Sequence, residues 1–253
     1  MKIIVAAFYA DVPGEPSRFG EFLPYVLASR RALAATNPAA RYVVLTDPPT
    51  GELFTRRGVE NVPIAETAMP LMLKIIDAQR AFVGWVGMEA DLIVLPDVDC
   101  LANRQLDDAI PAGVGLAITH KGPKFRYKIN NLAFVRDREL GLWFLDRAFG
   151  ILKGWPVDKQ IWGGDQEAWQ SALGVPMPGL GYYVVAKEMK GDILVACPED
   201  RTVHVYPCAT HNCPMPDDGW PKAAQRAAYF VHFKGPRKQY LERWMAERFG
   251  DAT

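Results

Sequence analysis

The chain has 253 residues, of which 49% are hydrophobic and 23% charged, and its 29 basic and 29 acidic side chains give a formal net charge of +0. This composition predicts one large α/β domain with a sizeable core, and the charge balance excludes the basic surface of a nucleic-acid-binding protein or a polybasic membrane face. The first apolar run is too short for a signal peptide, no run of about 18 apolar residues is present, and the cysteines do not form the pattern of a disulfide framework, so we expect a cytoplasmic protein with no transmembrane segment.

Apolar strands alternate with longer segments of helical periodicity, and no repeat, low-complexity tract or linker separates them. Strands are predicted, in chain order, at residues 2–9, 41–47, 61–66, 92–95, 113–119, 129–137, 192–200, 203–207 and 229–231. Helices are predicted at residues 19–36, 70–85, 138–152, 163–173 and 239–249. This alternation is typical of a mostly parallel sheet with helices on its faces, and it predicts a single domain over residues 1–253.

The segment DLIVLPDVDCLANRQLDD, residues 91–108, runs an apolar strand directly into Asp97 and Asp99. Two carboxylates one residue apart on an extended segment point to the same side, and carboxylate oxygens suit Mg²⁺ or Mn²⁺. A shared cation would also remove the repulsion between the two groups. Since D-x-D is common by itself, the alternative is that Asp97 caps a turn and Asp99 is solvated.

The same segment resembles the Y-L-D-x-D-x-L-V segment of retaining glycosyltransferases of the glycogenin and galactosyltransferase type (glycosyltransferase family 8). Near the C-terminus, HFKGPRK resembles the H-F-x-G-x-x-K-P-W segment of that family. The residues that match at the same spacing are His232, Phe233, Gly235 and Lys238. The order of the two motifs also matches, although Gln239 and Tyr240 replace the Pro-Trp pair and Pro96 precedes the first aspartate.

The resemblance implies an α/β GT-A fold, the Rossmann-like fold of nucleotide-diphospho-sugar transferases, with residues 1–100 as the nucleotide-binding half and 101–253 as the acceptor-side half. It also implies a site for Mn²⁺ or Mg²⁺. The expected metal ligands are Asp97, Asp99 and His232, with Val98 between the aspartates as part of the donor site. Gly235 would let backbone approach a phosphate, and Lys238 would bring a positive charge to the diphosphate.

Two further segments resemble parts of the family that surround the transferred sugar. In WGGDQEAW, Asp165 and Gln166 match a D-Q pair at a helix start that lines the site beside the sugar, while an aspartate before a helix is also a favoured N-cap. In INNLAFVRD, Asn130 or Asn131 matches a strand asparagine that contacts the donor sugar or the acceptor, with preference for Asn131. Because the family's glycine is missing here, a turn-forming Asn-Asn pair is the alternative.

Other donor contacts are expected on the first strand and on the helix before the acidic pair. In this fold the end of the first strand, Ala7, Phe8 and Tyr9, would hold the nucleoside base. Tyr9 could stack on a pyrimidine, whereas burial in the core is the competing role for Phe8. Lys74 occupies the place of a basic residue that reaches the donor phosphate, or it lies on a solvated helix face.

The segment HVYPCATHNC raises a separate metal hypothesis. Its four potential ligands are His204, Cys208, His211 and Cys213. Their spacing matches no standard structural zinc site, and a loop with free thiols beside the acceptor is the alternative.

The implied reaction is transfer of a sugar from a nucleoside-diphosphate donor, UDP in most of the family, to a hydroxyl of a glycan, lipid or protein acceptor, with retention at the anomeric carbon. A non-catalytic nucleotide-sugar-binding protein is one alternative, since the motifs are binding motifs first. A sugar nucleotidyltransferase is another, but it needs a glycine-rich basic loop after the first strand, which residues 6–20 do not supply.

Overall fold

A computed structural model describes residues 1–12, 14–64, 69–86, 89–121, 128–160, 163–174, 186–190, 193–196 and 198–250. The strands in this part of the chain are β1 (Ile3–Phe8), β2 (Arg41–Thr46), β3 (Asn61–Pro63), β4 (Leu92–Pro96), β5 (Cys100–Ala102), β6 (Leu116–His120), β7 (Ile129–Val135), β8 (Ala186–Lys190), β9 (Ile193–Ala196), β10 (Val203–Pro207), β11 (Asn212–Pro214) and β12 (Phe230–His232). The α-helices are α1 (Phe19–Thr36), α2 (Pro48–Arg56), α3 (Leu71–Val86), α4 (Arg138–Lys153), α5 (Gly164–Ala172), α6 (Cys208–His211), α7 (Ala223–Ala227) and α8 (Leu241–Phe249). Six residues of the segments discussed above lie outside the described residues, namely 13, 65, 66, 162, 192 and 197.

Within the described residues, the central sheet has the strand order β3-β2-β1-β4-β7-β6-β10-β9-β8. The pairs β2–β3, β1–β2, β1–β4 and β6–β10 are parallel, whereas β7 runs antiparallel to β4 and β6, and β9 runs antiparallel to β8 and β10. All of its other strands therefore point in one direction, and the mostly parallel α/β sheet predicted from the sequence is confirmed.

Both faces of this sheet are covered, which explains why β1 reads as a continuous apolar run. Successive side chains of a strand point to opposite faces. Ile4 and Ala6 therefore enter a core with α3, α4 and α5, while Val5 and Ala7 enter a second core with α1 and α2. None of the described helices combines the length and the apolar character needed to cross a bilayer.

A second sheet, which the sequence did not predict, has the order β11-β12-β5 among the described residues. β12 pairs antiparallel with β5, so that His232 lies opposite Cys100. Leu101 and Phe233 of this region pack with Trp244 of α8 in a third core. This pairing joins the segment after Asp97 to the C-terminal region.

The helix α2 was also missed, although its start follows a local rule. Asp47 is the N-cap, and its side chain accepts a hydrogen bond from the Thr50 amide at 3.0 Å. Pro48 occupies the first helical position, where its missing amide proton costs nothing. The strand predicted at residues 41–47 therefore ends at Thr46, one residue before this cap.

Candidate functional site

The acidic pair lies at the carboxyl end of β4, where ligands of open α/β sheets bind. β4 is buried throughout, and the amide of Cys100 closes a turn onto the carbonyl of Asp97 at 3.1 Å before β5 begins. The side chain of Asp97 is 33% exposed and that of Asp99 is 12% exposed. The two carboxylates therefore stand at the surface end of a rigid strand.

His232 meets both carboxylates because β12 pairs with β5. Its Nε2 atom lies 3.1 Å from Oδ1 of Asp99 and 3.7 Å from Oδ2 of Asp97. Potential ligand atoms of Asp97, Asp99, Cys100 and His232 all lie within 4.8 Å of one another. The structure thus brings together the three residues that the sequence resemblance implied as metal ligands.

The donor set fits a divalent cation that prefers oxygen. Two carboxylates suit Mg²⁺ or Mn²⁺, and imidazole is the commonest metal ligand in proteins. Cys100 does not fit the same role, because its Sγ atom lies 3.4 Å from Oδ1 of Asn212. Burial, together with the charges of Asp97 and Asp99, raises the pKa of the Cys100 thiol well above its usual value, and a sulfur ligand suits softer metals than Mg²⁺ or Mn²⁺.

The pKa values of the two carboxylates are shifted in opposite directions. A third of the Asp97 side chain is exposed, but removal of its carboxyl from bulk water raises its pKa to about 7. The charge of His232 acts to lower this pKa, while the charges of Asp99 and Asp165 add to the rise. Burial also acts to raise the pKa of Asp99, but the charge and hydrogen bond of His232 outweigh it and hold that pKa below its usual range. A bound divalent cation would favour both carboxylates in their ionised form.

Lys238 approaches the same pair from the C-terminal motif. Its Nζ atom lies 3.7 Å from Oδ2 of Asp99 and 4.0 Å and 4.9 Å from the ring centroids of Phe22 and Tyr25. It belongs to a 3₁₀ turn that starts at Gly235, where φ is +59°. Residues with a side chain rarely adopt this conformation, so the glycine of the motif has a backbone role here.

Asp165 and Asn131 form a second polar group, held by α5 and β7. Asn131 Nδ2 donates to Oδ2 of Asp165 at 2.6 Å, and the two residues are 9% and 3% exposed. Oδ1 of each side chain has no hydrogen-bond partner among the described residues. Burial raises the pKa of Asp165, and its charge in turn acts on Asp97, so this group lies beside the metal-ligand candidates.

The local structure explains how these side chains are positioned. Asp165 lies in the first turn of α5, one turn before Trp169, and both side chains are buried. The Trp169 ring packs edge-on against Phe144 with centroids 5.6 Å apart, which anchors the helix. The N-cap is Gly163, with φ of +89°, so the proposed capping role of Asp165 is wrong.

The two neighbouring asparagines of β7 point to opposite faces of the sheet, as the strand period requires. Asn131 faces α5 and binds Asp165, whereas Asn130 Nδ2 lies 3.4 Å from Sγ of Cys208. The pair lies within a strand and does not form a turn. Asn131 is therefore the residue that reaches the group around Asp97.

The other predicted donor contacts lie on elements whose role stays a prediction. Ala7 is fully buried, Phe8 is partly exposed, and Tyr9 is 5% exposed. The Tyr9 ring packs among the aromatic rings of Phe19, Phe22 and Phe54, and its hydroxyl donates to Asp11 at 2.6 Å. Lys74 lies in α3 and is 8% exposed, so it does not lie on a solvated helix face. Among the described residues, no hydrogen bond or ion pair connects Lys74 with the Asp97 group.

The potential zinc ligands of the HVYPCATHNC segment have other contacts. His211 lies 2.8 Å from both the Ala109 carbonyl oxygen and the Thr210 hydroxyl, and Cys213 accepts from Gln225 at 3.1 Å. Within the part of the chain that the structure describes, the one cluster of His, Cys, Asp and Glu compact enough for a metal is that around Asp97. The zinc hypothesis has no support in this geometry.

Sequence reasoning missed two lysines beside the site. Lys121 follows β6 directly, and its Nζ atom lies 3.4 Å from Oε1 of Gln166. Lys234 occupies the variable position of the H-F-x-G motif, two residues after His232. Its charge acts on both Asp165 and His232. The only local signal was a lysine placed directly after a strand end, which is too common to single out.

Comparisons with known proteins identify the fold. No model of a known protein family matches this sequence, and a search of curated proteins also found no match. Among solved structures, the chain is similar to a glycosyltransferase involved in the glycosylation of the major capsid of PBCV-1, with a TM-score of 0.52 and 14% identity over 95% of this chain and 98% of that one. It is also similar to the glycosyltransferase GlyE of Streptococcus pneumoniae TIGR4, with a TM-score of 0.57 and 10% identity over 97% of this chain and 63% of GlyE. A structure of the apo form of GlyE gives the same values.

At these identities the likeness shows the fold and nothing finer. The chain has the α/β fold of these glycosyltransferases, consistent with the GT-A fold expected from the two motifs. It spans less than two thirds of GlyE. The division into halves at residue 100 stays a prediction.

Proposed function

We propose that this protein is a metal-dependent glycosyltransferase of the family 8 type that transfers a sugar from a nucleoside-diphosphate donor, with UDP as the expected nucleotide, to a hydroxyl of a glycan, lipid or protein acceptor. The observation that carries the proposal is the convergence of Asp97, Asp99, His232 and Lys238 at the carboxyl end of β4. Four residues from two distant motifs meet there, in a fold shared with glycosyltransferases. Retention at the anomeric carbon and a cytoplasmic location belong to the same proposal.

In this proposal Asp97, Asp99 and His232 hold Mn²⁺ or Mg²⁺, and the bound cation supplies charge neutralisation for the leaving diphosphate. Lys238 adds a second positive charge on the same side, since it already lies 3.7 Å from Asp99. A Cβ atom added at Gly235 would have no heavy atom within 4 Å. A phosphate can therefore approach the backbone there closely. These groups act before the reaction by binding and orienting the donor, and during it by stabilising negative charge.

Asp165 and Gln166 are the residues we assign to the sugar side. The buried Oδ1 atoms of Asp165 and Asn131 are hydrogen-bond acceptors that sugar hydroxyls can satisfy. A carboxylate beside the anomeric carbon also stabilises an oxocarbenium-like centre. We assign no catalytic base, because a retaining reaction by front-side attack requires none from the protein.

The remaining donor contacts are assigned to the nucleoside and to the outer phosphate. Ala7, Phe8 and Tyr9 at the end of β1, with Val98, form the proposed wall of the base site. Lys74 is buried, and a buried ammonium group needs a charged or polar partner. The donor phosphate is the partner that we propose.

The experiment that tests this function is a thermal-shift panel with UDP, GDP, CDP and ADP, each with Mn²⁺ and with EDTA. A ligand that binds only the folded chain raises the melting temperature by mass action. We expect a shift with one nucleotide that disappears in EDTA, followed by transfer or hydrolysis of the corresponding nucleotide sugar. No shift with any nucleotide contradicts the proposal, while a metal-dependent shift with no turnover of any nucleotide sugar indicates a non-catalytic binding protein.

A further inference from the structure

A group of lysines lies near Asp165 and Gln166. Lys121 and Lys128 flank residues 122–127, and the amide of Lys121 donates to the Lys128 carbonyl at 2.9 Å. Lys234 reaches the same region from the segment after β12. We call Lys121, Lys128 and Lys234 the lysine cluster.

The members of this cluster differ in how their charges are compensated. Lys128 pairs with Glu167 at 3.8 Å, and its side chain is 44% exposed. Lys121 instead lies 3.4 Å from a neutral amide oxygen of Gln166. Burial, followed by the charges of Lys234 and Lys128, lowers the pKa of Lys121. Like charges held near each other in a partly buried place repel one another, and an anion among them would remove that repulsion.

A second observation is a pair of buried hydrogen-bond acceptors in the same group of residues. The Oδ1 atoms of Asp165 and Asn131 are buried and have no hydrogen-bond partner among the described residues. Gln166, which contacts Lys121, is the neighbour of Asp165 in the first turn of α5. Acceptors for hydroxyl groups and cations for an anionic group therefore occur side by side.

The contact of Lys121 differs from that of the lysine on the phosphate side of the site. Lys238 approaches Asp99 from the 3₁₀ turn after Gly235, and together with the metal ligands it already provides for a diphosphate. Lys121 instead contacts Gln166, and the charge of Lys234 acts on both Asp165 and His232. The Lys121 ammonium group therefore lies beside Gln166, a residue that we assign to the sugar.

We propose that Lys121 and Lys234 bind an anionic group, a carboxylate or a phosphate ester, carried by the sugar that lies beside Asp165 and Gln166. The inference rests on the proposed function and narrows its substrate class to charged sugars. Two sources supply this chemistry, namely a uronic acid in the donor and an anionic sugar in the acceptor. Both would place a negative charge near Lys121, whose ammonium group lies 3.4 Å from Oε1 of Gln166.

The test compares matched neutral and anionic ligands by isothermal titration calorimetry on the full chain with Mn²⁺. The donor arm uses UDP-glucose and UDP-glucuronic acid. The acceptor arm adds glucose, glucose 6-phosphate or methyl glucuronide to the protein saturated with UDP. The variants are Lys121→Gln, the charge-retaining Lys121→Arg, and Lys128→Gln as the matched control, because Lys128 is a nearby lysine already paired with Glu167.

We expect the anionic ligand of one arm to bind about 10-fold more tightly than its neutral counterpart, as one charge-assisted hydrogen bond provides. This preference should disappear in Lys121→Gln and persist in Lys121→Arg and Lys128→Gln. A preference in the donor arm assigns the charge to the transferred sugar, and one in the acceptor arm assigns it to the acceptor. If Lys121→Gln does not fold, Lys234→Gln replaces it, since Lys234 is only partly buried in a surface turn.

Three results overturn the inference while leaving the proposed function intact. The first is equal binding of neutral and anionic ligands in both arms. The second is a loss of the anionic preference in Lys128→Gln as large as that in Lys121→Gln. The third is a loss of UDP affinity in Lys121→Gln as large as its loss of the anionic preference. The last result would assign Lys121 to the diphosphate. Failure of UDP to bind in the presence of Mn²⁺ is a different outcome, because it removes the proposed function and this inference with it.

Discussion

Replacing Asp99 by Asn removes one charge from the centre of the site and leaves its shape nearly unchanged. Asp99 contacts His232 at 3.1 Å and Lys238 at 3.7 Å, and it is the more buried of the two carboxylates. The amide of Asn retains one oxygen acceptor, so the local packing is kept. The site would lose one of its two anionic metal ligands.

The size of the effect follows from mass action. With the UDP–Mn²⁺ complex at about 100 times its Kd, the wild-type chain gains about 2.7 kcal/mol of stability, which raises the Tm of a domain of this length by roughly 5–11 °C. Loss of supporting groups around a metal already costs about 10–100-fold in affinity, so we take ~100-fold for loss of a charged ligand. The same ligand concentration then stabilises Asp99→Asn by only about 0.4 kcal/mol, a Tm shift of roughly 1–2 °C.

The assay measures the melting temperature with UDP alone, with Mn²⁺ alone and with both. Asp158→Asn is the matched control, because Asp158 is exposed in the 3₁₀ turn Val157–Lys159. We expect the Mn²⁺-dependent shift to collapse in Asp99→Asn and to stay intact in Asp158→Asn. A full shift in Asp99→Asn would refute the metal assignment and, with it, the main argument for the proposed function.

Three more predictions concern single side chains. Replacing Lys238 by Met keeps a long, unbranched side chain beside Phe22 but removes the ammonium group that lies over its ring. UDP affinity measured by calorimetry should therefore fall about 10-fold. Asp165→Asn should lower the turnover of the nucleotide sugar by about 100-fold or more with little change in UDP affinity, because its charge acts on the reacting centre. Burial lowers the pKa of His211 from 6.5 to about 4, so the stability that its neutral form provides is present above pH 6.5 and is lost as the pH falls towards 4. Urea unfolding should show that protonation of His211 lowers the free energy of unfolding by about 3 kcal/mol at pH 4 relative to pH 7. The variant His211→Gln should lack this part of the pH dependence.

Each of these predictions has an outcome that contradicts it. Unchanged UDP affinity in Lys238→Met would assign that lysine a structural role, and Lys238→Arg is the control that retains the charge. Equal losses of affinity and turnover in Asp165→Asn would indicate a binding role alone. Identical pH dependence of wild type and His211→Gln would show that His211 is not held neutral by its burial.

The position of His232 depends on one piece of long-range pairing. β12 and β5 are separated by more than a hundred residues, and their antiparallel register places His232 opposite Cys100, directly after the acidic pair. The amide of Met215, the residue directly after β11, also donates to the His232 carbonyl at 2.9 Å. The small sheet therefore holds the two motifs in register, and substitutions in it are expected to affect the site from a distance.

Local sequence determined the order and bounds of most helices and strands. The apolar periodicity predicted α1 at residues 19–36, where the structure places it, and the buried strands β1 and β4 were evident as apolar runs. The two motifs also identified the residues that meet at the site, because metal and phosphate chemistry restricts the residue types that can occur there. The start of α2 followed a local capping rule that was equally readable.

Only the tertiary structure decided which strands pair and what surrounds the site. A strand sequence records which side chains are buried but not its neighbour or its direction, so neither the reversed β7 and β9 nor the sheet of β5, β11 and β12 could be predicted. The same reason applies to Lys121 and Lys234, whose position next to Asp165 depends on β6, β12 and α5 being packed together. That Asn131 and not Asn130 meets Asp165 depends in the same way on which face of β7 is covered by α5.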